Sequence, residues 1–368
     1  MAFLGRALDP NNLRPLFEAW WNAVDLAEGV REDAGFLRRV QRALLPLPFQ
    51  REAPLPASVF PPPQPLGAGA LRQRRVAVVA SGGSGALSSM LGVQRAFEEA
   101  AIRPVAISAA SAAVLFTLPW AFGIPAGDAA RFWMTLPRHG YVDPDWRALL
   151  RSAAGSFGGW GGLLRGDAVE ASFRGLLGDR LLGEAEVPFS TVVWNIDLNR
   201  VEVIGTKATP ELPAAVAARV AISIPIFVEP VQIGDHLYGD GGVIDVFPVR
   251  PVLEHDPDLV LGVNCYLPED FAGDDMSGWR ARKFAIVQAS AQLRWSGMLA
   301  LAREQARLAG ERMVLLHPVP HSQVRGARFY DLFLDRTRWP AFMREGRQSA
   351  RQALQRLATA APAPRPLN

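Results

Sequence analysis

The sequence predicts an α/β fold in which a parallel sheet is covered on both faces by helices. Three observations carry this prediction. Short β-branched runs are bounded by glycines, helical stretches alternate with them, and tight turns stand where strand passes into helix. At 368 residues and 49% apolar composition, the chain can bury one large α/β domain with additions, or two ordinary domains.

Residues 12–45 read as helices, because Leu13, Leu16, Phe17, Trp20, Val24 and Ala27 recur at helical spacing. Residues 46–70 are proline-rich, with Pro61, Pro62 and Pro63 in a row. Proline fixes φ and removes backbone donors, so this stretch reads as a linker or extended arm. The core begins at Arg74. Arg75 to Ala80 suits a buried parallel strand, and a turn follows at Gly82 to Gly85. Leu87 to Ala101 then reads as a helix with Glu98 and Glu99 exposed.

A second strand, Val105 to Ile107, ends in a turn at Ser111. Further strands are expected at Phe189–Ile196, Val201–Gly205 and Leu259–Cys265, and a long helical segment from Asp274 to Gly310. The organisation predicted is an N-terminal helical segment and linker (1–73), a central domain (74–270), a basic C-terminal helical region (271–360) and a disordered tail (361–368).

The longest uncharged stretch, Pro104 to Gly127, is long enough to span a bilayer. Its serines, prolines and alanines favour a buried strand followed by a buried helix instead. The N-terminus lacks the layout of a secretory signal. The single Cys265 excludes an internal disulfide and fits a reducing, cytoplasmic compartment. Net charge is only +3, yet residues 279–360 hold 15 Lys+Arg against 5 Asp+Glu. Such a surplus suits either a solvated helix face or an anionic partner such as a membrane surface. Trp279 and Trp295, among arginines, fit the same two readings. No metal-ligand spacing occurs, so neither calcium nor zinc is implied.

Three motifs bear chemistry. Ser111 sits in Ala109-Ala110-Ser111-Ala112-Ala113, where a strand turns into a helix. A nucleophile there needs small residues two before and two after it, because strand and helix crowd together. The usual G-x-S-x-G has become A-x-S-x-A, which alone reads equally as a helix N-cap. Ser81-Gly82-Gly83-Ser84-Gly85 can present amides to an anion, either as a phosphate loop or as an oxyanion hole. Ala86-Leu87 stands where a phosphate loop needs Lys-Ser/Thr. Tyr238-Gly239-Asp240-Gly241-Gly242-Val243 lets an aspartate approach another backbone closely, though Asp-Gly is also a common turn.

Taken in order, these motifs resemble patatin-like phospholipases. The flanks do so too. Leu91-Gly92-Val93 with Arg95 to Glu99 is similar to that family's first helix, and Gly162 to Asp167 to its mid-chain helix start. Ala221 to Phe227, Pro230 and Leu237 to Val249 carry the most specific likeness.

The resemblance covers roughly residues 74–270. It implies a three-layer α/β/α fold with a mostly parallel central sheet, an N-terminal helical arm and C-terminal helices. It implies a Ser111–Asp240 dyad acting on a lipid or acyl ester through an acyl-enzyme. Gly82, Gly83 and Ser84 would form the oxyanion hole, with Gly85, Ala109, Ala113, Gly241 and Gly242 in support. It implies no cofactor, no metal and no nucleic acid. Contact with an anionic membrane through the basic C-terminal region is a further expectation, and oligomeric state is left open.

The departures are Ser84 for the third glycine, Ala86 and Leu87 where the family has a basic residue and then glycine, and the two elbow alanines. They keep a second reading open, a non-catalytic lipid- or protein-binding module. A Ser–His–Asp arrangement using His317 or His321 is a further alternative. Trp133, Trp146 and Trp160, with Gly155 to Gly162, are expected to form a cover over the site.

Overall fold

The computed structural model describes residue 56 and residues 59–145, 161–269, 271–273, 277–281, 285–325 and 327–360. The helices expected over 12–45, the tail after Ala360, and Trp146 and Trp160 lie outside these described residues.

The first half of the chain runs β1 (Val76–Ala80), α1 (Ser89–Ala100), β2 (Ile107–Ala109), α2 (Ala113–Ala121), α3 (Ala126–Thr135), β3 (Gly162–Leu164) and α4 (Asp167–Leu177). Next come β4 (Phe189–Asn195), β5 (Arg200–Gly205), α5 (Ala214–Val220), β6 (Ile226–Val228), β7 (Val231–Ile233) and β8 (His236–Asp240). The chain continues with α6 (Arg250–Leu253), β9 (Leu259–Val263), α7 (Ala285–Ala309), β10 (Met313–Leu316), α8 (Ala327–Leu334) and α9 (Trp339–Ala360).

The main sheet has the order β10-β9-β1-β2-β4-β8-β7, with β5 also paired to β4. From β10 to β4 every pairing is parallel. All five residues of β1 are buried, and they divide between two cores. Val76, Val78 and Ala80 face one cluster, with Met90, Leu91, Phe342 and Met343. Ala77 and Val79 face the other, with Phe247, Leu299 and Ala302. Helices therefore cover both faces, which is the three-layer α/β/α arrangement with its parallel sheet at the centre.

One edge of the sheet departs from a parallel reading. Strands β5 and β8 run antiparallel to β4, and β7 antiparallel to β8. For β7 and β8 the reason is connection length. Ile233 pairs with His236, so only Gly234 and Asp235 join β7 to β8. A two-residue turn can link only antiparallel strands, and Gly234 has φ +59°, which such turns require of one residue.

The stretch 271–360, expected as a basic helical region, also supplies a strand and packs closely on the central sheet. Its β10 extends the main sheet beside β9. Its last helix, α9, crosses α1 so closely that a Cβ on Gly92 would strike the Met343 carbonyl, and one on Gly346 the Ser89 carbonyl. Glu99, expected on the surface, is 5% exposed. It accepts from Arg347 at 2.9 Å and from Arg351, and Arg95 lies 3.5 Å away. The surplus positive charge of this stretch is thus partly turned inward. Arg336, 5% exposed, donates to the Trp133 carbonyl.

The uncharged stretch Pro104 to Gly127 holds β2 and α2, and both are wholly buried. Among the described residues no helix is long and apolar enough to cross a membrane. Trp133 is not part of a cover. It sits in α3 at 1% exposure, ringed by Phe116, Phe132, Phe173 and Trp339.

Candidate active site

Strand β4 explains how residues 129 positions apart meet. Its one edge is taken along its length by β5, from Ser190 to Asn195. The other edge is shared. β2 occupies its start, with Ala109 opposite Thr191, and β8 occupies its end, with Asp240 opposite Val193. β2 runs parallel to β4 and β8 antiparallel, so their carboxyl ends point at each other. The gap is two residues of β4, about 7 Å. Ser111 follows β2 by two residues, and Asp240 is the last residue of β8.

Gly241 and Gly242 fit this meeting point. A Cβ on Gly241 would lie 2.6 Å from the β4 backbone at Val192 and Val193. One on Gly242 would lie 2.9 Å from Ser111 Cβ and 3.0 Å from Asp240 Oδ1. Any side chain there would wedge the serine and the carboxylate apart.

Ser111 has φ +53°, a left-handed backbone that costs a non-glycine residue of order 1–3 kcal/mol. It is 6% exposed and followed at once by α2, between the fully buried Ala109 and Ala113. A strained serine between strand and helix is the geometry of a nucleophile elbow. The N-cap position of α2 falls on Ala112, not on Ser111, so the N-cap reading fails.

Asp240 is fully buried. Its Oδ1 accepts from the Gly242 amide at 2.7 Å, whereas Oδ2 has no partner at hydrogen-bonding geometry. Burial pushes its pKa up to about 7, against smaller opposing effects from the Ser111 hydroxyl and the Gly242 amide. Ser111 is thus close enough to act on the carboxyl's ionisation, although Oδ2 lacks an ideally placed donor. No histidine is among the groups acting on Asp240. His321 Nδ1 instead meets the Tyr266 carbonyl at 2.6 Å, and His317 Nδ1 meets Asn264 Nδ2 at 3.2 Å.

The glycine turn lies against the elbow, since a Cβ on Gly82 would be 3.4 Å from Ser111 Cβ. Gly82 itself is not an available donor, because its amide is held by the Val246 carbonyl at 2.7 Å. Among the described residues, no backbone acceptor takes the amides of Gly83 or Ser84. The Ser84 hydroxyl is buried without a partner. Ala86 and Leu87, which stand where a basic residue and glycine were expected, are both fully buried in the core.

Sequence reasoning passed over what holds this turn from behind. A Cβ on Gly85 would collide with the Leu332 carbonyl of α8 and with Trp339 Nε1. A Cβ on Gly83 would sit 3.3 Å from Tyr266 Cβ. The five-residue run Ser81 to Gly85 hinted at close packing but not at its partners.

Fold and site together define an α/β protein whose elbow serine faces a buried carboxylate beside a glycine turn. The chain carries a patatin-like phospholipase domain, whose family model matches residues 78–253. That match supports lipid-hydrolase activity.

Among solved structures, VipD from Legionella pneumophila is similar at 16% identity and TM-score 0.43, over 77% of this chain and 67% of that one. The type III effector protein ExoU matches at 15% identity and TM-score 0.37, over 81% of this chain and 54% of that one. Human GIVD cytosolic phospholipase A2, solved with methyl gamma-linolenyl fluorophosphonate, matches at 11% identity and TM-score 0.39, over 92% of this chain and 63% of that one. The chain thus spans just over half of ExoU and under two thirds of the human enzyme. No curated protein gives a significant sequence match.

Proposed function

We propose that the protein is a lipid acyl hydrolase that works through a Ser111–Asp240 dyad. The meeting of β2 and β8 on one edge of β4 carries this reading, because it sets a strained serine against a carboxylate with a spare oxygen.

In the proposed reaction, Ser111 Oγ attacks the ester carbonyl and its proton passes to Asp240 Oδ2. A carboxylate whose pKa has risen to about 7 is a far better base at neutral pH than an ordinary one. The oxyanion is met by the amides of Gly83 and Ser84. As the C–O bond breaks, the proton moves from Asp240 to the leaving alkoxide. Water, activated by the same carboxylate, then attacks the acyl-enzyme and frees Ser111. No basic side chain supplements the two amides at Ala86 or Leu87. The expected turnover is therefore slower than that of a site which has one, roughly a hundredfold for one lost contact.

A fluorophosphonate probe tests the reading. It should label Ser111, with the tagged peptide mapped by mass spectrometry, and Ser111→Ala should remove the label. An unlabelled wild type that also leaves short-chain esters intact would defeat it. The buried Ala86 and Leu87 favour a second reading, a lipid- or protein-binding module that has lost catalysis. Normal function of a Ser111→Ala/Asp240→Ala double variant in the host would support that module.

We also propose a cytoplasmic protein that touches anionic membrane through its basic C-terminal stretch. Sedimentation with phosphatidylserine vesicles at low salt, but not with neutral vesicles, is the expected result.

A further inference from the structure

We propose that Tyr266, Trp295 and Phe329 form the wall along which the substrate's alkyl chain lies, and that they set the preference for chain length. The inference rests on the dyad reading above. The three partly buried residues, two of them packed on the second core, gather beyond the carboxyl end of β9, on the side of the sheet where open α/β folds bind ligands. The Tyr266 ring meets Trp295 edge-on, with centroids 5.2 Å apart at 86°, and meets Phe329 at 5.1 Å. His321 lies over Trp295 at 5.9 Å, tilted by 30°.

Two independent contacts bring this cluster to the reacting atoms. Tyr266 Cβ packs on Gly83, whose neighbour Gly82 packs on Ser111. On the other side, Leu332 of α8 abuts Gly85, and Phe329 stands one turn earlier in that helix. The wall therefore begins within a residue or two of the amides proposed to hold the oxyanion.

The wall is also braced. Asn264 Oδ1 accepts from the Tyr266 and Leu267 amides at 3.1 and 2.9 Å. The Tyr266 carbonyl accepts from His321 Nδ1 at 2.6 Å. A carbonyl oxygen only accepts, so the His321 proton sits on Nδ1. Both the amide and the carbonyl of Tyr266 are pinned, so the backbone that carries the ring is held in place.

Ring spacing chooses the ligand. A quaternary ammonium head group needs a gap between aromatic faces, with the cation within about 6 Å of each centroid. Rings whose centroids are 5.1 and 5.2 Å apart touch one another and leave no such gap. They present a continuous apolar surface, which suits methylenes. Each methylene buried there is worth roughly fourfold in kcat/KM.

The test is a series of p-nitrophenyl esters with acyl chains of increasing length, read on the full chain. Wild-type kcat/KM should rise with chain length. Trp295→Ala and Phe329→Ala should flatten that rise, losing roughly tenfold on the long ester. The short-ester rate and fluorophosphonate labelling of Ser111 should stay within twofold. Leu308→Ala, an exposed position elsewhere on α7, should change nothing. Should an alanine variant lose its far-ultraviolet signal, Trp295→Leu and Phe329→Leu replace it.

An unchanged long-to-short ratio in the wall variants, with labelling intact, overturns the wall and leaves the dyad standing. Absent labelling defeats the dyad instead. Binding of the fluorescent fatty acid cis-parinaric acid to Ser111→Ala protein then decides the wall. A tenfold weakening by Trp295→Ala or Phe329→Ala supports it, and equal binding, or none, overturns it.

Discussion

Two carboxylates lie buried among the described residues, and they are treated in opposite ways. Glu99, on α1, is surrounded by Arg95, Arg347 and Arg351, and also accepts from the Gln64 amide at 3.2 Å. Burial alone would raise its pKa, but the hydrogen bonds from Arg347, Gln64 and Arg351 outweigh burial and hold it below the usual range. Asp240 receives one backbone amide and a nearby hydroxyl, and its pKa rises to about 7. Glu99 is locked in its charged form and fastens α9 to α1. Asp240 is held near the point of accepting a proton. The same functional group becomes a rivet or a base according to the number of donors around it.

The largest expected effect breaks the base. Asp240→Asn, like Ser111→Ala, should cut ester hydrolysis at least roughly a thousandfold, measured as initial rates on a short-chain ester. A variant keeping a tenth of wild-type activity would remove the dyad from consideration.

Next comes stability, where the two acids should respond with opposite sign. Glu99→Gln leaves three partly buried arginines without their counter-charge and should cost on the order of 1–3 kcal/mol in urea unfolding at pH 8. Asp240→Asn should instead stabilise, by an amount on the order of a few kcal/mol. The raised pKa means that the folded state holds its proton longer than the unfolded chain. Stability from this group is therefore full below its ordinary value of 3.8 and is lost as pH climbs to about 7. Glu99 contributes above its ordinary 4.5 and is lost as pH falls through its depressed folded value. Equal signs for the two variants would contradict the contrast.

The pH profile sharpens it further. The rate of Ser111 labelling should rise with pH, reach half its maximum near 7 and level off above. A flat profile between pH 5 and 9 would show that Asp240 is not the titrating group. The smallest effect is expected from Ser84→Gly. It removes the unpartnered hydroxyl but keeps the amide, so labelling should change by less than roughly tenfold.

Much of this was legible in the sequence. The runs at 75–80 and 189–196 announced central strands because both faces of a parallel sheet are apolar. The chemistry-bearing residues announced themselves through glycines that only close backbone approach explains. Other features were hidden for physical reasons. β6, β7 and β10 are three or four residues long, too short for periodicity to register, and β10 follows a long helix. Glu99 looked solvated because its arginine partners lie some 250 residues away. That the Gly82 amide was already taken could not be read, since its acceptor, Val246, belongs to the loop after the aspartate.

The collision awaiting any side chain at Gly85 has a consequence for how this protein matures. The backbone that presses on that turn belongs to Leu332 and the indole to Trp339, both made long after Ser111 and Asp240 have left the ribosome. A chain not yet extended to these residues contains both reactive side chains but lacks the abutment behind its glycine turn. Activity should therefore switch on late in synthesis, so that an incomplete chain is harmless to the lipids around it.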